Sequence, residues 1–140
     1  MKKLAALLAV AVVALSAVAI ATAGPRSEVM LGAKLDAMQD HTTSKGTGTF
    51  TATVTGTKIT WKLTFKHLSG AASAAHIHLG AKGKAGNVLV ALCGPCKSGQ
   101  SGTTTIPAAA LAKVKKGVTY VNVHTAKNPN GEIRGQIAAH

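Results

Sequence analysis

The residue types able to do chemistry fall in three short stretches: AAHIHLG with His76 and His78, TYVNVHT with His124, and VLVALCGPC with Cys93 and Cys96. In an extended chain His76 and His78 share one face, ~7 Å apart, while Ile77 and Leu79 point the other way into a core. Two such imidazoles can converge on one ion. His124 offers a third, because inward Val121 and Val123 place Tyr120, Asn122 and His124 on the outer, polar face of their segment. Three imidazoles without thiolate suit Cu(II), and after it Zn(II). The competing reading of the same residues is structural, with histidines that hydrogen-bond loops or are simply solvated.

The tetrad Cys93-Gly94-Pro95-Cys96 exchanges disulfides in thioredoxin-like enzymes, where the first cysteine sits at a helix N-terminus and the dipole lowers its thiol pKa. Here Cys96 is followed by KSGQSGTTT, with no helical run behind it and no βαβ rhythm around it. The tetrad is therefore expected to close a tight disulfide loop at the end of a strand. A redox-active pair and a metal thiolate are the alternatives. So short a ring contributes about 2 kcal/mol before strain.

The elements that must position these residues read as strands. In GTFTATVTG, Phe50, Ala52 and Val54 alternate with threonines; in KITWKLTFKH, Ile59, Trp61, Leu63 and Phe65 alternate with lysines and threonines. Gly56-Thr57 between them predicts a hairpin. NVLVALC is a continuous apolar run and predicts a strand buried on both faces. GTTTI is a further short strand, and PAAALAKVKK, bounded by Pro107 and Gly117, predicts one short helix. GVTYVNVHT and GEIRGQIA form the last pair, joined at Asn128-Pro129-Asn130-Gly131 by a type I turn and a left-handed glycine. That loop sets Val123 opposite Ile137 and His124 opposite Gln136, gathering His124, Gln136, Arg134 and Glu132 on the outer face. The Arg134 charge there opposes a bare cation, or suits an anion held beside one. Val29, Leu31 and Leu35 alternate in an opening strand. His67 continues the inward face of its strand, His41 lies in a loop, and His140 is terminal and expected to be mobile. Seven or eight short strands with one short helix predict an all-β antiparallel sandwich or barrel.

The chain has 140 residues, with 16 Lys and Arg against 4 Asp and Glu, a net charge of +12. Such a surface attracts polyanionic envelope or matrix components. Sequence-specific nucleic-acid reading is not expected, since the aromatic set is Phe50, Trp61, Phe65 and Tyr120 and the arginines are Arg26 and Arg134. The opening MKKLAALLAVAVVALSAVAIATAG has two lysines, an apolar run from Leu4 to Ile20, and Ala21-Thr22-Ala23. This predicts a secretory signal peptide over 1–23; an uncleaved anchor is the alternative. Residues 24–140 then form a single domain, secreted or periplasmic, with no transmembrane segment after cleavage and a disulfide that persists there.

AAHIHLG, GNVLVAL and GVTYVNVHTAKNPNGEIRGQI together resemble the CHRD domain, named after chordin and common in exported bacterial proteins. The resemblance covers roughly Val29 to Ala138. It implies an extracellular Greek-key β-sandwich or barrel, immunoglobulin-like or similar to copper/zinc superoxide dismutase, whose histidine-x-histidine strand the HIH element resembles. The resemblance carries no well-established molecular activity, so it does not settle the function. A dismutase would need a second, zinc-binding centre, and the carboxylates here are Glu28, Asp36, Asp40 and Glu132 alone. The expectation is an exported, non-enzymatic binding domain with a surface copper site at His76, His78 and His124, flanked by Asn122, Arg134 and Gln136. The alternative is charge-driven adhesion to an envelope or matrix polymer with structural histidines, and a redox or dismutase-like enzyme comes last.

Overall fold

Period-two alternation needs a partner to bury its apolar face, and the described residues supply nine strands. In a computed structural model, which describes Gly24 and residues 27–140, these are β1 (Glu28–Asp36), β2 (Thr47–Thr55), β3 (Lys58–Lys66), β4 (Ala72–Leu79), β5 (Val88–Cys93), β6 (Gln100–Thr105), β7 (Thr119–Thr125), β8 (Ile133–Gln136) and β9 (Ala138–Ala139). One helix, α1 (Ala108–Lys115), and a 3-10 turn over Met38–Asp40 complete the set. The expected signal peptide and Arg26 lie outside the described residues. Among the described residues no helix is long and apolar enough to cross a membrane.

The strands form one antiparallel sheet in the order β5-β4-β7-β8-β1-β2-β3-β6, with β9 beside β1, rolled into a nearly closed barrel. Neighbours such as β4 and β7, or β8 and β1, are distant in sequence, so the hairpin pairs are woven together by long connections. The β2–β3 hairpin keeps unbroken register from Thr47↔Lys66 to Thr55↔Lys58. Gly56 opens its two-residue turn at φ 63°, a conformation a side chain would strain. The inward residues of every layer meet in one core, with Phe50, Ile59, Leu63, Ile77, Val121, Val123 and Ile133 fully buried. Deleting a ring such as Phe50 from that core would cost about 3–5 kcal/mol. α1 begins after Pro107, ends before left-handed Gly117, and seals the core with Ala110 and Val114.

Three local expectations change. β5 is not buried on both faces: it is an edge strand whose Val88 is half-exposed and whose Val90 alone is buried. Its apolar run reports a sheet edge beside the loop leading to β6, not a central strand. His67 does not continue the inward face, because the chain leaves β3 there in a left-handed turn (φ 58°) and the side chain is exposed. His140 is exposed as expected, yet its backbone amide is tied to the Met30 carbonyl at 2.9 Å, alongside the short strand β9.

Candidate metal centre

β4 and β7 lie side by side, with His76 opposite Asn122, His78 opposite Tyr120 and Ala74 opposite His124. β4 is irregular against β5, with register shifts at Ala75/His76 and Ile77/His78. Such bulges re-aim side chains locally. His124 sits diagonal to His76, a position from which ring side chains still touch across a sheet. His76 Nδ1 and His124 Nε2 are 3.2 Å apart. Ring centroids lie 5.0 Å apart for His76–His124, 5.6 Å for His76–His78 and 5.7 Å for His78–His124. One nitrogen from each of the three rings lies within 4.8 Å of the other two. Nitrogens sharing an ion at ~2.1 Å are at most ~4.2 Å apart, so the three rings lie close to the spacing that one ion requires.

Two backbone carbonyls set the tautomers. His78 Nδ1–H donates to Gly86 O at 2.9 Å, and His124 Nδ1–H donates to Pro129 O at 3.0 Å. Each bond leaves Nε2 as the unprotonated nitrogen, the arrangement that orients metal-ligating histidines in general. His78 Nε2 is buried with no hydrogen-bond partner, whereas His124 Nε2 accepts from His76 Nδ1–H. All three pKa values fall below the ordinary histidine value, and burial is the main cause in each. Mutual repulsion adds to it for His76 and His124, and the Arg134 charge adds to it for His78. The carbonyl bonds to His78 and His124 act in the opposite direction, more strongly than these charges but less than burial. The rings are therefore neutral near pH 7, the form that binds metal.

The outer face of β7 is not solvent-exposed. Tyr120, Asn122 and Arg134 are each at least 97 % buried beneath the glycine-rich connection 80–87 and the loop 126–131. Arg134 lies over the Tyr120 ring, 3.3 Å from its centroid, and donates to the carbonyls of Ala81 and Lys84. Tyr120 stacks on His78 with centroids 5.0 Å apart, and its hydroxyl accepts from Gly86 N. Asn122 Nδ2 holds Asn130 O, next to the carbonyl that orients His124. The Arg134 guanidinium is thus directed into loop carbonyls. It organises the cover over His78 rather than confronting an ion as a bare charge.

The expected β7–β8 register is corrected by four residues. Asn122 pairs with Arg134, Tyr120 with Gln136 and Val123 with Ile133. The connection is longer than a tight Pro-Asn-Gly loop because two successive turns, Thr125–Asn128 and Asn128–Gly131, precede Glu132. An even shift preserves which residues face inward, so Arg134 stays on the histidine face. Gln136 moves to the far end of β7, where its amide donates to Gly80 O and Gly117 O. Glu132 leaves that face altogether. It is fully buried, and its carboxylate accepts from Ser44, Ser69, Thr125 and Asn128. Burial pushes its pKa up, but these donors outweigh burial and hold it at about 2.

Cys93 and Cys96 are joined by a disulfide, with Cα atoms 5.3 Å apart. The segment after Cys96 runs into β6 rather than a helix, so no dipole serves the first thiol. The Cys96 amide donates to Ala72 O, tying the loop to the foot of β4.

The CHRD domain family model matches residues 31–137. The chain belongs to the CHRD domain family. A search of curated proteins and a search of solved structures returned no match. The matched segment of this CHRD domain contains all three clustered histidines, both orienting carbonyls and the covering loop. No other group of three His, Cys, Asp or Glu side chains comes as close among the described residues. His41, His67 and His140 stand outside the cluster. The carbonyls of Gly86 and Pro129 and the stacking of Tyr120 escape sequence reading, because loop backbones carry no side-chain signal. The one clue is the spacing of Gly80, Gly83 and Gly86 directly after the HIH strand.

Proposed function

We propose that this CHRD domain is an exported, non-enzymatic binding domain that holds one Cu(II) ion at His76, His78 and His124, with Zn(II) as a weaker competitor. The observation that carries this reading is the convergence of three neutral imidazoles, two of them locked by backbone carbonyls, with His78 Nε2 left without a partner. Imidazole ligands suit both ions, and the divalent stability order places Cu(II) above Zn(II). The disulfide supports export, because thiols are kept reduced inside most cells. With one cluster of three ligands and no companion centre among the described residues, binding is favoured over dismutase-like turnover.

The test is calorimetric titration of residues 24–140 with Cu(II) and Zn(II), beside the His76→Ala/His78→Ala/His124→Ala variant checked for folding by circular dichroism. One-to-one binding of Cu(II), tighter than Zn(II) and reduced at least about 100-fold in the variant, supports the site. Equal affinity in both proteins overturns it.

A further inference from the structure

The half of the barrel formed by β1, β2, β3 and β6 presents a different surface. Every outward residue of β2, at alternate positions from Thr47 to Thr55, is threonine. Across the β2–β3 ladder these threonines meet Lys58, Lys62 and Lys66 in alternation with Thr60 and Thr64. β6 extends the pattern, setting Ser101, Thr103 and Thr105 against Lys62, Thr60 and Lys58. On the other side Lys34 of β1 lies opposite Thr49. The lysines of β3 recur every four residues, ~13 Å apart, with hydroxyls between them.

Three observations bear on what this surface is suited to bind. First, none of the outward hydroxyls of β2, β3 and β6 takes part in a side-chain hydrogen bond among the described residues, although hydroxyls elsewhere, such as Ser44, Ser69 and Thr125, do. Second, two shallow hollows lie on it, of ≈ 560 Å³ beside Lys34, Asp36, Thr49, Thr64 and Lys66 and ≈ 420 Å³ beside Thr51, Thr60 and Lys62. Third, the charge is one-sided: Lys34, Lys58, Lys62 and Lys66 are all exposed, and the acids on this face are Glu28 and Asp36 at the two ends of β1. Trp61 lies buried beneath, so the face offers no exposed tryptophan or tyrosine on which a nucleobase could stack.

We propose that this face binds an anionic polysaccharide, its carboxylates paired with Lys34, Lys58, Lys62 and Lys66 and its hydroxyls bonded to the threonine rows. Ammonium groups supply attraction and the hydroxyl array supplies recognition of a polyhydroxylated chain. The proposal is independent of the histidine cluster, which lies on β4 and β7.

Binding to immobilised polygalacturonate is measured at low and high salt, with neutral dextran and duplex DNA as competitors. Lys58→Ala/Lys62→Ala/Lys66→Ala is compared with Lys113→Ala/Lys115→Ala/Lys116→Ala, which removes the same charge from α1 and the residue after it. Thr49→Val/Thr51→Val keeps the charge and removes two hydroxyls. The expected result is about tenfold weaker binding for the β3 lysine variant and little change for the helix variant. The valine variant weakens several-fold, high salt weakens all binding, and neither competitor displaces the domain at concentrations where free polygalacturonate does. Equal loss in the two lysine variants, displacement by DNA as effective as by polygalacturonate, or full affinity in the valine variant overturns the proposal.

Discussion

Glu132 and His78 show how one polar side chain, once buried, is decided by its partners. Glu132 is fully buried, yet its carboxylate is held at about 2 by hydrogen bonds from three loops and the end of β7. In the unfolded chain the same group titrates near 4.5. The folded pKa lies below the unfolded one, so its contribution to stability is complete above pH 4.5 and is lost as pH falls from there toward 2. The depression corresponds to about 3 kcal/mol. Glu132→Gln is expected to lower stability at pH 7 by roughly that amount and to abolish the acid-dependent loss in that window, read by urea denaturation at pH 7, 4 and 2.5. Asp40, which burial raises to about 6 against the counter-pull of Arg134 and His41, contributes with the opposite sign between pH 3.8 and 6. It does so in both proteins, so the difference between them isolates Glu132. His78 makes the complementary case: its ring is buried neutral, with Nε2 left for a ligand.

At the scale of elements, the candidate centre depends on two loops, each fastened by a buried residue of the strand face below. Arg134 clamps the connection 80–87 through Ala81 O and Lys84 O, and Asn122 clamps the loop 126–131 through Asn130 O. Arg134→Lys keeps the charge but loses the guanidinium fork and the planar contact with Tyr120. The expected outcome is Cu(II) affinity reduced about 10–100-fold, the scale seen when partners of metal ligands are removed, measured by competition against a chelator of known affinity. A mainly repulsive Arg134 would instead leave affinity unchanged in this variant. Gly86 is constrained by close approach, because a Cβ there would collide with Leu79 O. Gly86→Ala is therefore expected to displace the carbonyl that orients His78, visible as loss of the hydrogen-bonded Nδ1–H resonance in the NMR spectrum while the barrel stays folded.

At the scale of the molecule, the barrel carries its chemistry on opposite arrangements of the same sheet. The β4–β7–β8 face is covered by loops and holds imidazoles, while the β1–β2–β3–β6 face is open and holds lysines and threonines. A ligand bound only by the folded state stabilises it by mass action, about 2.7 kcal/mol when its concentration is 100 times Kd. Copper at that excess is expected to raise the melting temperature on the order of 10 °C, and to leave the triple histidine variant unmoved in a scanning-fluorescence melt.

The alternation of Phe50, Ala52, Val54, Ile59, Trp61 and Leu63, the Gly56-Thr57 turn and the helix between Pro107 and Gly117 by themselves determined an antiparallel all-β chain with one helix. Those signals are local: a period of two, a left-handed glycine and a proline act within a few residues of themselves. The pairing of His76 with His78 was equally legible, since neighbours two apart share a face in any strand. Tertiary structure alone decided that β4 lies beside β7, bringing His124 to within 3.2 Å of His76. It also decided that β5 is an edge and that Glu132 is a buried staple. Those outcomes depend on which strands pair across 40 or more residues and on where loop carbonyls land. Many such pairings satisfy the same alternation, and only closure of one shared core selects among them.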